Sequence, residues 1–520
     1  MSYWGDDMSR PYLGRQADRW LLTPAVRGVT LDSRQVQPGY VFCATVGRFH
    51  DGHQFILDAI RAGAIAVVGE RDPSAVPELG DVPYFVVANA RREAGRIASE
   101  FFRQPSRRLA VVGVTGTNGK TTVSYWLRHF LGAGLGPTGL SCSVMVDALS
   151  DRQRPVLTTP EGPDLQGLLK TMAQGGAVAA VIEVSSHALV QGRVAGVDFA
   201  GAVFTNLSRD HLDFHGTMEA YAEAKAGLFA QLAHGRPAVI NADDPWGEWM
   251  AHHCAGPVIT FGQSAGEVRW KILRSSPRGV TVQIRLPGCS NPQMVTMPFA
   301  GSYQAENLVA AYTMAWILGV PEKALNREAA RLPAIPGRQQ RWAIPGLPTV
   351  IIDYAHNPQG LKALLETVSR WRPAHVSLVF GARGDRDLGK YPEMGRVASD
   401  YCQRIWVTTD NPCSTPLERL THAILAGISD PTVATVLLDR QEAIARALLE
   451  AGPNDVVVVT GRGHEGPMVL DGGKVVPPDQ ELVTRALKIR EINFRPVREP
   501  GGRQDHEGGY SPYVRHCRLD

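Results

Sequence analysis

The stretch GVTGTNGKTTV, Gly113–Val123, constrains the fold more than any other part of the sequence. Its three glycines are three residues apart, and Lys120 and two threonines follow them. Valines precede the glycines, and apolar residues at helical spacing come after them. Bare backbone amides at a helix start bind phosphate closely, while a lysine and a hydroxyl serve the outer phosphates and Mg²⁺. The stretch therefore predicts a nucleotide-phosphate loop between a strand and a helix.

The first glycine, Gly113, lies one residue too early for a strict Walker A motif. The strand before the loop and the helix after it still favour phosphate binding over a glycine-rich turn with a chance lysine. The residues expected to hold the nucleotide here are Gly116, Thr117, Asn118, Gly119, Lys120, Thr121 and Thr122.

Composition and charge narrow the class of protein. A chain of 520 residues with 44% apolar and 20% charged residues predicts a globular protein of two to four domains. A net charge of +3 argues against a protein that coats nucleic acid. Seven cysteines without CxxC spacing argue against a disulfide scaffold and a zinc module. The first ten residues lack a secretion signal, and apolar runs such as Val456–Val459 are too short to span a membrane. We therefore expect a soluble cytoplasmic enzyme, monomeric by default.

The order of predicted elements indicates an α/β chain of three domains. The expected boundaries are 1–108 for a small N-terminal domain, 109–341 for a central domain with a largely parallel sheet, 342–492 for a doubly wound C-terminal domain, and 493–520 for a disordered tail. A helix is expected at Arg91–Arg103. Strands are expected at Ala64–Glu70, Tyr84–Asn89, Ala179–Ser186, Ala200–Leu207, Pro237–Asp244, Thr349–Ala355, Val376–Gly381, Arg404–Asp410 and Asp455–Gly461.

Two strand ends in the central domain carry groups that bind metals. Glu183 ends one predicted strand, and His211 follows another between Asp210 and Asp213. A carboxylate and an imidazole at one edge of a sheet, facing a phosphate loop, favour a magnesium site over solvated loop residues. Lys225 lies on a helix nearby, where a protonated amine would repel the metal. It is either an exposed helix lysine or, once converted to a carbamate, an anionic ligand.

At this point the sequence resembles the Mur ligase family, within it most closely the members that add the third amino acid of the peptidoglycan stem peptide. The motifs occur in the family's order over roughly residues 28 to 486. They are GTNGKTT, EVSSHAL, TNLSRDHLD, YAEAK, SYQAENLVAA, PGR, DYAHNP, GARGDRD and GRGHE. About 110 residues precede the phosphate loop, unlike folylpolyglutamate synthetase, whose loop lies near its N-terminus.

The resemblance implies an ATP-dependent ligase that joins a diamino acid, such as meso-diaminopimelate or L-lysine, to UDP-N-acetylmuramoyl-L-alanyl-D-glutamate. ATP would phosphorylate the γ-carboxylate, and the amine would displace phosphate from the acyl phosphate. Two Mg²⁺ ions and carbamylated Lys225 are expected as cofactors. Catalysis is implied for Lys120, Lys225, His211 and Glu183, and metal binding for Thr121, Glu183, His211 and Lys225. Whether Thr115 or Thr121 holds the first ion is open.

The resemblance also assigns the remaining site residues. Further ATP contacts are Asn307, Arg338, Asp353, His356 and Asn357. Contacts to the UDP-linked substrate are Ser33, Arg34, His53, Thr158, Thr159, Ser185, Gln191 and Arg193. Contacts to the amino acid are Arg386, Asp410, Asn411, Cys413, Gly461 and Glu465.

The sequence departs from the family pattern at Cys413. Diaminopimelate-adding enzymes have an arginine here that binds the distal carboxylate, and a thiol cannot replace its bidentate grip. Lysine-adding enzymes commonly have a small residue here, yet Glu465 is retained as in the diaminopimelate type. The alternatives are another amino acid, a specialised pathway, or a nearby arginine that replaces the missing one; a non-catalytic nucleotide-binding module is a further alternative.

Overall fold

The computed structural model describes residue 23 and residues 25–47, 50–72 and 79–494. The prediction of no secretion signal concerns residues 1–10, which lie outside these ranges. The predicted disordered tail, 493–520, also lies outside them except for its first two residues, which end the last helix.

The N-terminal domain is a four-stranded parallel sheet in sequence order. Its strands are β1 (Gly28–Thr30), β2 (Tyr40–Ala44), β3 (Ala64–Gly69) and β4 (Tyr84–Val86), and its helices are α1 (Ile56–Arg61) and α2 (Ala90–Phe101). The Asn89 side chain accepts a hydrogen bond from the Arg92 amide and starts α2, whose alanines and Ile97 pack on the sheet. The predicted strands and helix of this domain are confirmed, with shorter strands.

The central domain is built on an eleven-stranded sheet in the order β15-β14-β13-β12-β11-β10-β5-β9-β6-β7-β8. Its strands are β5 (Ala110–Thr115), β6 (Thr138–Ser141), β7 (Val146–Asp147), β8 (Arg152–Gln153), β9 (Ala179–Glu183), β10 (Gly201–Phe204), β11 (Ala238–Asn241), β12 (Val258–Gly262), β13 (Val268–Ser276), β14 (Gly279–Arg285) and β15 (Gln293–Met297). The seven neighbouring strands β13-β12-β11-β10-β5-β9-β6 are parallel, as predicted. The strands at the two edges, β14 and β15 on one side and β7 and β8 on the other, pair antiparallel.

Helices cover both faces of this sheet. They are α3 (Lys120–Gly134), α4 (Gly162–Gln174), α5 (Ser186–Val190), α6 (Leu212–His215), α7 (Met218–Ala230), α8 (Gly247–His252), α9 (Ser302–Ile317) and α10 (Glu322–Ala329). One core cluster joins α3 to α9 through Trp126 and Leu308, and the other joins α4 to α7 through Leu165 and Leu228. Strands buried on both faces are typical of parallel sheets, which explains their continuous apolar sequence.

The C-terminal domain has a six-stranded sheet in the order β16-β17-β21-β18-β19-β20, parallel except for β16. Its strands are β16 (Gln340–Trp342), β17 (Thr349–Ile352), β18 (Val376–Phe380), β19 (Arg404–Val407), β20 (Ala434–Val436) and β21 (Val456–Val459), with a separate hairpin of β22 (Met468–Val469) and β23 (Val475–Val476). Its helices are α11 (Pro358–Ser369), α12 (Tyr391–Tyr401), α13 (Leu417–Leu425), α14 (Arg440–Glu450) and α15 (Asp479–Phe494).

The predicted α/β class with three sheets is therefore confirmed. The domain boundaries stay predictions, and the one after residue 341 falls within β16. Carboxyl ends of parallel strands are where α/β folds place their ligands, and these ends of the central and C-terminal sheets carry loops that touch each other. Among the described helices, none has the length and apolar character needed to cross a membrane.

Candidate active site

The predicted phosphate loop joins β5 to α3, as the glycine spacing indicated. Gly116 has a φ of +150° and Gly119 a φ of +85°, which favour glycine. A Cβ on Gly116 would collide with the Thr205 hydroxyl, and one on Gly119 with the side-chain oxygen of Asn307. The loop therefore needs glycine at both positions, because the backbone turns there and the neighbouring side chains leave no room for a Cβ.

The loop after β10 forms hydrogen bonds with the phosphate loop. The Asn118 amide donates to Asn206 Oδ1 at 2.9 Å, and Thr205 Oγ1 donates to the Asn118 carbonyl at 2.6 Å. The Thr117 amide donates to the Asn206 carbonyl at 2.7 Å. Thr205 and Asn206 were not predicted as site residues, although the TNLSRD motif that contains them was recognised.

Lys120, the first residue of α3, folds back over the loop. Its Nζ donates to the Thr117 carbonyl at 2.7 Å, which leaves two of its three N–H donors for other acceptors. Burial lowers the pKa of Lys120, while Glu183 and Asp210 act in the opposite direction. An ammonium held at the mouth of a bare loop is placed to bind an anion.

Glu183 ends β9 and is 2% exposed. It accepts from Thr121 Oγ1 at 3.0 Å and from the Ser143 amide at 2.8 Å, so its carboxylate faces the start of α3. The Thr115 hydroxyl is buried and has no hydrogen-bond partner within the part of the chain that the structure describes. The choice between Thr115 and Thr121 as a metal ligand is therefore still open.

His211 has a φ of +55° and starts α6. Its Nδ1 is buried and has no hydrogen-bond partner among the described residues, and burial lowers the pKa of the ring well below its usual value. A neutral imidazole with an uncommitted nitrogen fits a metal ligand. Within the described ranges, however, no group of three or more His, Cys, Asp or Glu side chains is close enough to hold a metal ion.

Asp210 serves a different purpose from the metal role that its place beside His211 suggested. Lys390 Nζ lies 3.0 Å from its Oδ1, and His356 Nε2 lies 3.2 Å from its Oδ2. Burial alone would raise the pKa of Asp210, but the Lys390 ammonium and the hydrogen bond from His356 hold it well below its usual value. The carboxylate thus anchors the C-terminal domain to the central one.

Lys225 is buried in α7, so the alternative of an exposed helix lysine is wrong. Its Nζ donates to the Gly116 carbonyl at 2.6 Å and lies 4.3 Å from the centroid of the Tyr221 ring. Neither partner carries a charge. Burial, with Lys120 nearby, lowers the pKa of Lys225 well below its usual value. The carbonyl it contacts belongs to the phosphate loop.

The residues expected to contact the UDP-linked substrate fall into two groups. In the N-terminal domain, Asp32 forms a two-point ion pair with the exposed Arg34, next to Ser33. His53 accepts at Nε2 from the Glu70 amide at 3.0 Å, and its Nδ1 lies 2.6 Å from Asp51. Both nitrogens of His53 are therefore used within the protein.

The second group lies in the central domain beside Glu183. Thr159 Oγ1 donates to the Glu183 carbonyl at 2.8 Å and accepts from the Ser185 amide at 3.1 Å. Arg193 Nη1 donates to the Thr159 carbonyl at 3.0 Å. The Thr158 hydroxyl lies 3.0 Å from that of Ser143. Gln191 Oε1 is buried, and no described residue donates a hydrogen bond to it.

The C-terminal domain closes over the phosphate loop. Arg338 Nη2 donates to Thr121 Oγ1 at 3.2 Å, and its guanidinium stacks 4.3 Å from the Tyr354 ring. Asp353 accepts hydrogen bonds from the amides of Gln339 and Ala355 at 2.7 and 2.8 Å. Each of its two oxygens therefore binds a backbone amide next to Arg338 or Tyr354. Sequence reasoning missed Tyr354.

Three of the predicted amino-acid contacts, Arg386, Asp410 and Gly461, line a cavity of about 80 Å³ whose wall also includes Asp210 and His211 of the central domain. The other three, Asn411, Cys413 and Glu465, do not line it. Asp410 is buried, which raises its pKa to about 6, and a Cβ on Gly461 would collide with it. Arg386 Nη1 lies 3.6 Å from Asp213 Oδ2 in the central domain. Cys413 is exposed, with a φ of +52°.

Glu465 lies among donors: Asn411 Nδ2 at 2.6 Å, Arg383 Nη1 at 3.0 Å and the Tyr354 hydroxyl at 3.2 Å. Arg383 was missed as a site residue, although it belongs to the recognised GARGDRD motif. Asp479, at the start of α15, is fully buried and pairs with Arg440 at 2.7 Å. Arg440 also donates to the carbonyls of Thr409 and Thr460, the residues that precede Asp410 and Gly461.

The fold and the site define a nucleotide-dependent enzyme whose phosphate loop and second cavity lie on separate α/β domains. Three family models match in chain order: the Mur ligase family catalytic domain over residues 25–102, the Mur ligase middle domain over 114–315, and the Mur ligase glutamate ligase domain over 337–463. The chain belongs to the Mur ligase family.

Curated relatives match nearly the whole chain. It is 37% identical over 491 residues to the UDP-N-acetylmuramoyl-L-alanyl-D-glutamate--2,6-diaminopimelate ligase of Parasynechococcus marenigrum (strain WH8102), covering 92% of this chain and 98% of that protein. It is 40% identical over 476 residues to the protein of the same name from Chlorobaculum tepidum, covering 88% and 92%.

Solved structures agree with this. A structure of a ligase of the same name superposes with a TM-score of 0.63 at 31% identity, covering 90% of this chain and 95% of that one. A MurF ligase from Thermotoga maritima, solved with ADP, has a TM-score of 0.62 at 20% identity, covers 91% and 99%, and supports the fold alone. The predicted family, three-domain fold and enzyme class, an ATP-dependent ligase, are confirmed.

Proposed function

We propose that the chain joins a diamino acid to UDP-N-acetylmuramoyl-L-alanyl-D-glutamate, with ATP converted to ADP and phosphate. The observation that carries this proposal is that the central domain, which holds the phosphate loop, contacts the cavity lined by Asp410 and Arg386 through the Asp210–Lys390 ion pair. A ligase must bring an activated acid from one substrate to the amine of another. Two binding regions on facing strand ends supply that arrangement.

The phosphate loop and Lys120 would hold the outer phosphates of ATP. Asn307 presses on Gly119, and Arg338, Asp353, His356 and Asn357 lie on the opposite side of the cleft. These contacts support ATP binding between the two domains, with Lys120 and Arg338 opposing the negative charge that moves during phosphoryl transfer.

Thr121, Glu183, His211 and Lys225 would hold two Mg²⁺ ions. The free nitrogen of His211 and the carboxylate of Glu183 fit this role. Bound Mg²⁺ would neutralise charge on the γ-phosphate and on the carboxylate that attacks it.

Lys225 would serve as a ligand only after modification. Its buried amine has two uncharged partners. Addition of CO₂ to the neutral amine gives a carbamate and releases one proton, which turns an uncharged group into an anionic oxygen ligand. An unpaired ammonium buried beside the phosphate loop would be costly, so burial favours the neutral amine that reacts with CO₂.

The UDP-linked substrate would run from the N-terminal domain to Glu183. Ser33, Arg34 and His53 lie at one end, and Thr158, Thr159, Ser185, Gln191 and Arg193 at the other. Gln191, with its unpartnered buried oxygen, offers an acceptor close to the site of chemistry. Among the amino-acid contacts, Arg386 would bind the α-carboxylate, and Asp410 and Glu465 would bind amino groups.

The same proposal places the reaction in the cytoplasm and assigns it to a monomer acting on small molecules alone. Cys413 favours one alternative: a Mur-type ligase of a specialised pathway with another amino acid or another carboxylate acceptor. The proposed function and this alternative can be distinguished by which amino acid and which carboxylate acceptor stimulate turnover.

The deciding experiment measures phosphate release from ATP with UDP-N-acetylmuramoyl-L-alanyl-D-glutamate and a panel of amino acids. We expect release to need both substrates and a diamino acid to stimulate it most. If every amino acid fails with this acceptor while another carboxylate supports release, the proposal is wrong. If ATP binds but no pair of substrates stimulates release, the chain is a nucleotide-binding module.

A further inference from the structure

Arg383 supplies a cation to the amino-acid cavity, which Cys413 cannot do. Arg383 follows β18 in the loop 381–387 and lines the same cavity as Asp410 and Gly461. Cys413 lies in the loop 410–415 that follows β19, with its side chain exposed. Both loops follow neighbouring parallel strands, so a side chain from either one can enter the space between them.

The two loops form one packed unit. The Gly384 amide donates to the Asn411 carbonyl at 3.1 Å, and a Cβ on Gly384 would collide with the Pro412 carbonyl. Asp385 and Thr415 exchange two hydrogen bonds of 2.9 and 3.0 Å. A guanidinium on the first loop is therefore held at a fixed place beside the second.

The backbone of Arg383 is fixed as well. The buried Tyr391 hydroxyl donates to the Arg383 carbonyl at 2.6 Å, and the Arg383 amide donates to the same hydroxyl at 3.0 Å. One side chain thus holds both polar backbone groups of the residue. Such support orients a binding arginine before the ligand arrives.

The charge partner of Arg383 is Glu465, at 3.0 Å. Their side chains are 40% and 21% exposed. Arg383 lines the cavity and Glu465 lies directly beside its guanidinium, so a ligand end bound at Arg383 is within reach of the carboxylate. Asn411 and Tyr354 hold the same carboxylate from other directions. A ligand that binds Glu465 alone would leave the guanidinium without its partner, and a ligand that binds Arg383 alone would leave the carboxylate without its partner.

We propose that Arg383 and Glu465 together recognise a zwitterionic distal end of the amino-acid substrate, with Arg383 in place of the arginine that residue 413 lacks. This inference rests on the proposed function. The distal carboxylate takes the guanidinium and the distal ammonium takes Glu465, so both charges stay paired. Lysine, which carries only the ammonium, leaves Arg383 unpaired. The substrate class is therefore the 2,6-diamino dicarboxylic acids.

The test compares kcat and KM for meso-diaminopimelate and L-lysine in the wild type and in Arg383→Ala, Arg383→Lys and the double variant Arg383→Ala/Cys413→Arg. Arg383→Ala should raise KM for diaminopimelate about 10- to 100-fold, the loss of a charged hydrogen-bonded contact, with kcat little changed. Arg383→Lys should be intermediate, because an ammonium lacks the bidentate grip. The double variant should recover much of the lost affinity.

Arg370→Ala is the matched control, because Arg370 forms a 2.7 Å ion pair with Glu366 on α11, outside the cavity. It should keep both KM values. If the wild type uses diaminopimelate but Arg383→Ala leaves its KM unchanged, or if the wild type prefers lysine, this inference is wrong and the ligase proposal stands. If no amino acid stimulates the wild type, both are wrong.

Discussion

Asn118 of the phosphate loop and Asn357 of the C-terminal domain are joined side chain to side chain across the cleft. Asn357 Nδ2 donates to Asn118 Oδ1 at 2.9 Å, and Asn118 Nδ2 lies 3.3 Å from Asn357 Oδ1. Asn357 Oδ1 also accepts from the Gly360 amide and caps α11. The first turn of this helix is thereby fixed to the loop expected to hold the nucleotide, so we expect nucleotide binding and domain closure to be coupled.

The first prediction tests this coupling. Asn357→Ser keeps a side-chain oxygen for the helix cap but loses the amide that donates to Asn118. We expect KM for ATP to rise about 2- to 10-fold, the value of one net hydrogen bond, with stability little changed. Asn118→Ser should act on the same contact, so the double variant should cost no more than the larger single change. Fully additive effects in steady-state kinetics would show that the two residues act separately.

The second prediction concerns the bare phosphate loop. Gly119→Ala should abolish measurable ATP binding, because φ is +85° and the new methyl would displace Asn307. Isothermal titration calorimetry measures the binding directly. Gly132→Ala in α3 is the matched control: its Cβ would meet open space and should stabilise the helix by up to about 1 kcal/mol without changing ATP affinity. Equal ATP affinity in Gly119→Ala and the wild type would refute the loop assignment.

The third prediction concerns the modification of Lys225. Lys225→Ala should lose nearly all turnover, and small anions such as bicarbonate or chloride should restore part of it by occupying the vacated space. Removal of CO₂ from the buffers should reduce turnover of the wild type. Lys271→Ala, at an exposed position of β13, should behave like the wild type. Unchanged turnover in Lys225→Ala would exclude this side chain as a ligand.

The fourth prediction follows from the pKa of Asp410, which burial raises to about 6. Above pH 6 the carboxylate is charged and can bind an ammonium; below pH 6 it is protonated. Amino-acid affinity should therefore fall by up to tenfold per pH unit below about 6, and binding near pH 6 should release a proton. Calorimetry in two buffers of different ionisation enthalpy measures that proton. Affinity that stays constant from pH 5 to 7, or proton uptake, would contradict the assignment.

Much of the fold followed from local patterns. Continuous apolar strands alternating with helices predicted the parallel sheets, and the glycine spacing placed the phosphate loop between β5 and α3. The strands β13, β14 and β15, which pair antiparallel at one edge of the central sheet, were not predicted. Their apolar residues alternate with polar ones, and the recognised motifs do not include them. Motif order identified the family, and several of the motifs, such as GTNGKTT, EVSSHAL and TNLSRDHLD, lie at the ends of strands in the central sheet.

The roles of the predicted site residues stay predictions, and their contacts could not be read from the sequence. Nothing local in the sequence says that Asp210 binds Lys390 rather than a metal, because the two residues are 180 positions apart. The same holds for Arg383, because its proposed role in binding the substrate depends on Cys413 and Glu465, which lie in two later loops. The burial of Lys225 could not be predicted either, because the alanine-rich segment around it is equally typical of an exposed helix.

The central claim is that ATP activates a carboxylate of the acceptor as an acyl phosphate. The most direct measurement uses UDP-N-acetylmuramoyl-L-alanyl-D-glutamate labelled with ¹⁸O in the γ-carboxylate, followed by mass analysis of the released phosphate. Transfer through an acyl phosphate carries one labelled oxygen into each phosphate, and this is the result we predict. Unlabelled phosphate, released while the amide product forms, would contradict the account.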